Sequence, residues 1–133
     1  MLVKTISFEH SPEQAAIASI TVAVRLYRQG QMVDGVSIGT WDREQGRVWD
    51  AGTYLVAEPN VEADEVGIDA HNTRVGDNYI VLDGVRLAIP VAGANEWSGE
   101  VRYSLGDGFP WVLAAIGLAA AVVGLVAVAA KRR

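Results

Sequence analysis

The segment Ile17–Tyr27 reads IASITVAVRLY, and its most apolar side chains recur at every second position. The face that is apolar throughout consists of Ala18, Ile20, Val22, Val24 and Leu26. A period of two is typical of a β-strand that buries one face. We therefore predict a half-buried strand here, and we expect the residues around it to form a β-rich domain.

Two Asp-Gly pairs lie between apolar runs and predict tight turns. Asp34-Gly35 lies at the centre of Met32–Ile38, and Asp83-Gly84 lies at the centre of Ile80–Leu87. Asp-Gly suits a type I′ turn, because both central residues of that turn need a positive φ. We expect a β-hairpin at each pair, and the second pair has the longer apolar runs on its two sides.

Further short apolar segments, separated by turn signals, extend the β pattern over residues 1–105, which we expect to form a soluble domain. Leu2–Phe8 predicts an early strand, and Ser11–Gln14 predicts a turn or a single helical turn. Other strands are expected at Val36–Trp41, Arg47–Trp49, Thr53–Ala57, Glu65–Ala70 and Glu100–Leu105. About seven to nine short strands at this spacing predict an all-β antiparallel sandwich or barrel. The aromatic residues expected as core or edge anchors are Trp41, Trp49, Tyr54 and Trp97.

The C-terminal part of the chain carries a long uncharged segment, residues 109–130. Its 22 residues are enough to cross the hydrocarbon core of a membrane, which takes roughly 20 helical residues. We predict a transmembrane helix at Phe109–Ala130, with a hinge at residues 106–108 and a basic stop-transfer tail at residues 131–133. The residues expected at the membrane interface are Phe109, Trp111, Lys131, Arg132 and Arg133.

One face of the predicted helix is formed almost entirely by small residues. Its members recur at helical spacing and are Ala114, Gly117, Ala121, Gly124 and Val128. Small residues let another helix approach closely in a bilayer. We expect this face to pack against a partner helix, either of another subunit or of a second copy in a homo-oligomer.

Charge is distributed unevenly along the chain. Residues 1–108 hold all 16 acidic residues and eight of the 11 basic ones, so their formal net charge is −8, whereas the tail carries +3. An acidic domain is a poor nucleic-acid binder, because phosphate contacts need Lys and Arg. A basic end favours the cytoplasmic side, so we expect the β domain outside the cytoplasm or on the outer side of a virion membrane.

The N-terminus does not support that orientation. Residues Met1–Thr5 do not open a signal peptide, since no apolar run follows Lys4. Three alternatives stay open: a leader that has been removed, export without a leader, or a domain that remains on the side of synthesis.

No catalytic, cofactor-binding or metal-binding motif stands out. The chain has no Cys, which excludes disulfides, thiolate zinc sites and thiol nucleophiles. The histidines are His10 and His71. Asp69 and His71 share one face of a predicted strand, which is a weak metal pattern, and we favour a solvated strand face. A second acidic group, which fits an ordinary surface loop, is formed by Glu62, Asp64 and Glu65.

These observations favour a non-enzymatic, single-pass membrane protein. We expect a structural or accessory subunit whose β domain docks on larger subunits, in a membrane complex or in a virion with an internal membrane. The expected partners are the lipid bilayer and those subunits, and no cofactor is expected. The alternative is a membrane-anchored surface binding module, which predicts an exposed aromatic patch formed by Trp41, Trp49 or Trp97.

Overall fold

The computed structural model describes residues 1–16, 20–39, 41–42, 47–106 and 111–114, and for residues 41–42, 47–48 and 111–114 it describes the backbone alone. Within these residues the regular secondary structure is almost entirely β. No helix in the described ranges is long and apolar enough to cross a membrane.

Thirteen strands and one short helix are described. In chain order they are β1 Leu2–Val3, β2 Ile6–His10, α1 Pro12–Ala15, β3 Thr21–Arg28, β4 Gln31–Gly39, β5 Trp41–Asp42, β6 Arg47–Val48, β7 Gly52–Ala57, β8 Val61–Glu62, β9 Glu65–His71, β10 Tyr79–Leu82, β11 Val85–Ala88, β12 Val101–Ser104 and β13 Trp111–Ala114. The helical turn expected near Ser11–Gln14 is α1, and Ser11 caps it by accepting the Gln14 N–H with its hydroxyl.

The strands form two main antiparallel sheets. One sheet has four strands in the order β11-β10-β2-β7, and the other has five in the order β13-β12-β9-β3-β4. Two short pairs, β1 with β8 and β5 with β6, complete the described strands. The predicted antiparallel β-sandwich is therefore confirmed as a β-sandwich-like fold.

A hydrophobic core fills the space between the two sheets. Strand β3 contributes Val22, Val24 and Leu26, which are fully buried as the period of two predicts. Strand β2 contributes Phe8 to the same buried cluster from the four-stranded sheet. The Tyr103 hydroxyl on β12 donates to a carbonyl of β11, that of Ala88, at 3.1 Å and joins the two sheets.

Only one of the two predicted Asp-Gly turns is correct. Asp83 and Gly84 have φ values of 47° and 86° and connect β10 to β11, as expected for a type I′ turn. Asp34-Gly35, however, lies inside β4. The turn before β4 is Gln29-Gly30, with φ values of 52° and 79°. This turn is favoured because it places β4 opposite the whole of β3 and aligns their buried faces.

The structure corrects the start of the predicted transmembrane helix. Trp111–Ala114 is not helical but forms β13, which pairs with β12. The pairing satisfies backbone groups of β12 that would otherwise be unpaired at a sheet edge. Ala114, predicted on the helix-packing face, and Trp111, predicted at the membrane interface, are therefore strand residues. The other predicted residues of both groups lie outside the described residues: Phe109, Gly117, Ala121, Gly124, Val128, Lys131, Arg132 and Arg133.

Candidate functional site

Two edge strands meet on one side of the sandwich. Strand β4 ends the five-stranded sheet and β7 ends the four-stranded sheet, and the two strands contact each other. No strand in the described part of the chain pairs with the outer side of either one. We call these two strands, Gln31–Gly39 and Gly52–Ala57, the open edge.

The open edge carries almost no charge. Strand β7 has no charged residue, and the one charged residue of β4 is Asp34. The Asp34 carboxylate accepts the N–H of Gly35 at 2.7 Å, so it is engaged locally. Natural proteins usually protect exposed edges with Lys or other charged residues, or with Pro. The open edge lacks these features although the domain around it is strongly acidic.

Exposed apolar side chains lie along both strands of the open edge. Met32 is 60% exposed and Val33 is 43% exposed on β4, and Leu55 is 58% exposed on β7. A β-bulge between Leu26 and Tyr27 of β3 shifts the register at this end of β4. The side chains thus add an apolar surface to unpaired backbone groups.

A groove runs between the two strands of the open edge. It has a volume of about 320 Å³, and its main apolar lining residues are Val36, Ile38, Trp49, Leu55 and Val56. One wall of the groove is an aromatic cluster, in which the Trp49 ring packs against Tyr54 at 4.9 Å and against Phe8 at 6.3 Å between centroids. Trp49 is therefore a packed anchor, as predicted, and lines the groove.

The opposite side of the sandwich is better protected. There β13 covers β12, and β11 is only four residues long. Pro90 follows β11 closely and cannot donate a backbone hydrogen bond. This contrast makes the open edge the accessible β surface among the described residues.

An ion cluster lies on the outer face of the five-stranded sheet. Glu100 accepts hydrogen bonds from Arg25 at 2.8 Å, from the Tyr27 hydroxyl at 2.7 Å and from Arg102 at 2.7 Å. The Arg102 guanidinium also lies over the Tyr27 ring, 3.9 Å from its centroid. The cluster ties β3 to β12 across β9.

The cluster holds Glu100 as a carboxylate. Burial raises the pKa of Glu100, but the hydrogen bonds from Tyr27, Arg102 and Arg25 outweigh it, so the pKa lies below its usual value. The donors use both carboxylate oxygens. A carboxylate so fully bonded is unsuited to proton transfer, and we assign the cluster a structural role.

A second aromatic feature lies at the end of β9. Trp97 is 55% exposed and packs against the His71 ring with centroids 5.1 Å apart. Asp69 is two residues earlier on β9 and accepts a hydrogen bond from the Ser98 hydroxyl at 3.3 Å. Of the three tryptophans considered for an exposed patch, Trp97 fits, Trp49 is packed, and the Trp41 side chain is not described.

The acidic residues of the predicted surface loop form contacts of their own. Glu65 pairs with Arg102 at 3.7 Å, and Glu62 pairs with the N-terminal amine of Met1 at 3.3 Å. Asp64 accepts the backbone N–H of Gln29 at 2.9 Å. Within the described ranges no group of three metal-ligating side chains is close enough to hold an ion.

Comparison with known proteins gives no assignment. No protein-family model matches the chain, and neither a curated protein nor a solved structure matches it. The function must therefore be inferred from the sequence and the described geometry.

Neither the open edge nor the Glu100 cluster was predicted from the sequence. A signal for the open edge was present, since Gln31–Gly39 and Gly52–Ala57 are the longest strand segments with so little charge in an acidic domain. Sequence alone does not say which strands are edges, so this signal could not be interpreted. The Glu100 cluster joins residues 75 positions apart and leaves no local pattern.

Proposed function

We propose that this chain is a non-enzymatic, membrane-anchored structural or accessory subunit whose β domain docks on a larger subunit through the open edge. The observation that carries the proposal is that two nearly uncharged, apolar edge strands lie next to each other on one side of an acidic domain. The assembly is a membrane complex or a virion with an internal membrane.

The chemistry of the open edge favours a protein partner. Unpaired N–H and C=O groups along β4 can bond to an extended backbone, as in strand addition. The groove beside them accepts apolar side chains, and Met32, Val33 and Leu55 supply further contact area. Because the open edge is nearly uncharged, it repels neither an acidic nor a basic partner. The acidic remainder of the domain would repel another acidic protein.

The sequence supports the membrane part of the proposal. Residues 109–130 contain no charge, and Lys131, Arg132 and Arg133 follow them. We propose that the part of this segment beyond β13, residues 115–130, anchors the chain in a bilayer, with Gly117 and Gly124 on a face that packs against a partner helix. As a helix these residues span about 24 Å, so the snorkelling of the basic tail and local thinning of the bilayer make up the remaining length. The β domain then lies on the side opposite the basic tail.

The test is native purification from membranes in mild detergent. The full chain should co-purify with a larger subunit, and Val33→Lys together with Leu55→Lys should reduce the bound partner at least tenfold. The matched control is Leu2→Lys, because Leu2 is 43% exposed, like Val33, but lies on β1. Equal loss of partner in the control, or full retention in the double variant, would exclude docking through the open edge.

Trp97 supports a second candidate function, a surface binding module. An exposed tryptophan on a histidine ring, with a nearby carboxylate, resembles the anchoring groups that bind sugars or peptides through stacking. This candidate predicts a free monomer in detergent that binds a glycan or peptide. Trp97→Ala should then abolish that binding, and the double variant at Val33 and Leu55 should leave it unchanged.

A further inference from the structure

A buried polar corner joins the end of β2 to the loop before β10. His10 and Ser11 are 2% and 4% exposed, and Gln14 and Asn78 are fully buried. The Gln14 side-chain oxygen accepts the backbone N–H of Arg74 at 2.9 Å, and its amide nitrogen donates to the Asn72 carbonyl at 3.2 Å. We call residues 10–16 and 72–78 the His10 corner. His10 ends the β2–β7 ladder opposite Gly52, and the side-chain hydrogen bonds of Gln14 and Asn78 join the rest of the corner.

The hydrogen bonds of Asn78 define the proton position on His10. The Asn78 side-chain oxygen accepts the N–H of Ser11 at 2.9 Å, and its nitrogen donates to the Val75 carbonyl at 3.1 Å. The same oxygen lies 3.3 Å from Nδ1 of His10. Because that oxygen can only accept, Nδ1 carries the proton in this network. Nε2 is then the unprotonated ring nitrogen, with a lone pair that can accept a hydrogen bond.

The other ring nitrogen of His10 is exceptional. Nε2 is the one buried side-chain polar atom without a hydrogen-bond partner among the residues that the structure describes. The Phe8 ring lies 5.2 Å from the imidazole, between centroids. A proton added at Nε2 would have no acceptor there, and burying an unpaired charge is costly.

No described charged group compensates a positive His10. On β2 Glu9 pairs with Arg86 of β11, and near β7 the Tyr54 hydroxyl donates to the Asp50 carbonyl. The remaining charged groups on the elements around the corner are exposed: Glu13, Asp50, Arg74 and Asp77. None of these carboxylates forms a described ion pair with the imidazole.

We propose that His10 is an acid-sensitive latch: protonation at Nε2 opens the His10 corner while the two sheets stay folded. A charged imidazole gains water when the corner opens, and the two sheets retain their own hydrogen-bond ladders. This inference does not depend on the docking function proposed above. It predicts a domain whose surface at this corner changes between neutral and mildly acidic compartments.

The direction of the pH dependence follows from the environment of His10. Burial lowers the pKa of His10 below 6.5, and the hydrogen bond with Asn78 only partly opposes this effect. The open corner, where the imidazole is hydrated, binds the proton more tightly than the closed corner. The closed state is therefore favoured above pH 6.5. Its equilibrium constant falls by up to tenfold per pH unit as the pH drops below 6.5, until the pKa of the closed state is reached.

Hydrogen exchange followed by mass spectrometry tests the latch in the full chain in mild detergent. Between pH 7.5 and pH 5, protection corrected for intrinsic exchange should fall in segments 11–16 and 72–78, by at most about thirtyfold. Protection in segments 22–26 and 66–70 should stay constant. His10→Asn, which keeps a donor near Nδ1 but cannot titrate, should remove the pH dependence, and His71→Asn should preserve it.

Titration of the histidines keeps the test decisive if His10→Asn does not fold. The chain has only two histidines, so two imidazole signals are expected in selectively labelled protein, and His71→Asn assigns them. The His10 signal should titrate below 6.5. Titration of His10 at or above 6.5, or protection of the corner that does not change with pH, would overturn the latch.

Discussion

Gly67 has no side chain, and this leaves room for Glu100 to lie across β9. A Cβ at this position would approach the Glu100 carboxyl carbon to 2.5 Å, which is too close. Arg25 on β3 and Arg102 on β12 flank Gly67 in the sheet register, so Glu100 reaches both only by crossing this glycine. The ion cluster therefore depends on a residue that takes no part in its hydrogen bonds.

Gly67→Ala should lower the free energy of unfolding by about 1–2 kcal/mol, because Glu100 must move and weaken its bonds to Arg25, Tyr27 and Arg102. Gly39→Ala is the matched control, since a Cβ on Gly39 meets nothing within 4 Å. Both changes reduce backbone freedom in the unfolded chain alike, so their difference isolates the cluster. The difference in free energy of unfolding between the two variants is measured by thermal unfolding of the full chain in detergent. Equal stability of the two variants would contradict this role of Gly67.

At the scale of single elements, the two Asp-Gly pairs show what a short motif determines. Asp83 has a positive φ, and its carboxylate accepts the N–H groups of Lys4 and Thr5 at 2.9 and 2.8 Å. It thereby fixes the β10–β11 hairpin to the start of β2. Asp34 lies within β4 and accepts only the adjacent N–H of Gly35 among its described bonds.

Asp83→Ala should destabilise the domain by about 1–3 kcal/mol, since it removes two long-range backbone hydrogen bonds and a residue suited to positive φ. Asp34→Ala should change the stability by less than about 0.5 kcal/mol, as is usual away from such features. Denaturant unfolding of both variants gives the comparison. A cost at Asp34 as large as that at Asp83 would mean that the β3–β4 turn is assigned incorrectly.

Local sequence patterns predicted where strands lie along the chain but not which strands are adjacent in a sheet. The Asp83-Gly84 turn depends on residues close in sequence and was found where expected. The alternation predicted for Ile17–Tyr27 was found from Thr21 onwards, where β3 begins, and residues 17–19 lie outside the described residues. The Asp34-Gly35 turn failed because the pairing of β4 with the full length of β3 outweighs the preference of two residues. Trp111–Ala114 was assigned to a helix from its apolar character, yet apolar character alone does not exclude a strand beside β12.

Across the domain, the net charge and the position of the two edge strands together favour docking through the open edge. Residues 1–108 have a formal net charge of −8, but the sequence alone does not show that the two nearly uncharged strands are adjacent edges. That arrangement depends on strand order, because β4 and β7 belong to different sheets. The open edge is thus a property of the fold, and the proposed docking function rests on it.

Site-specific photo-crosslinking in intact membranes tests the docking proposal most directly. A photoreactive residue at Val33 or Leu55 should crosslink to a larger subunit. The same probe at Leu2, which is as exposed as Val33, should give no such adduct. If Leu2 yields the adduct and neither Val33 nor Leu55 does, the β domain does not dock through the open edge.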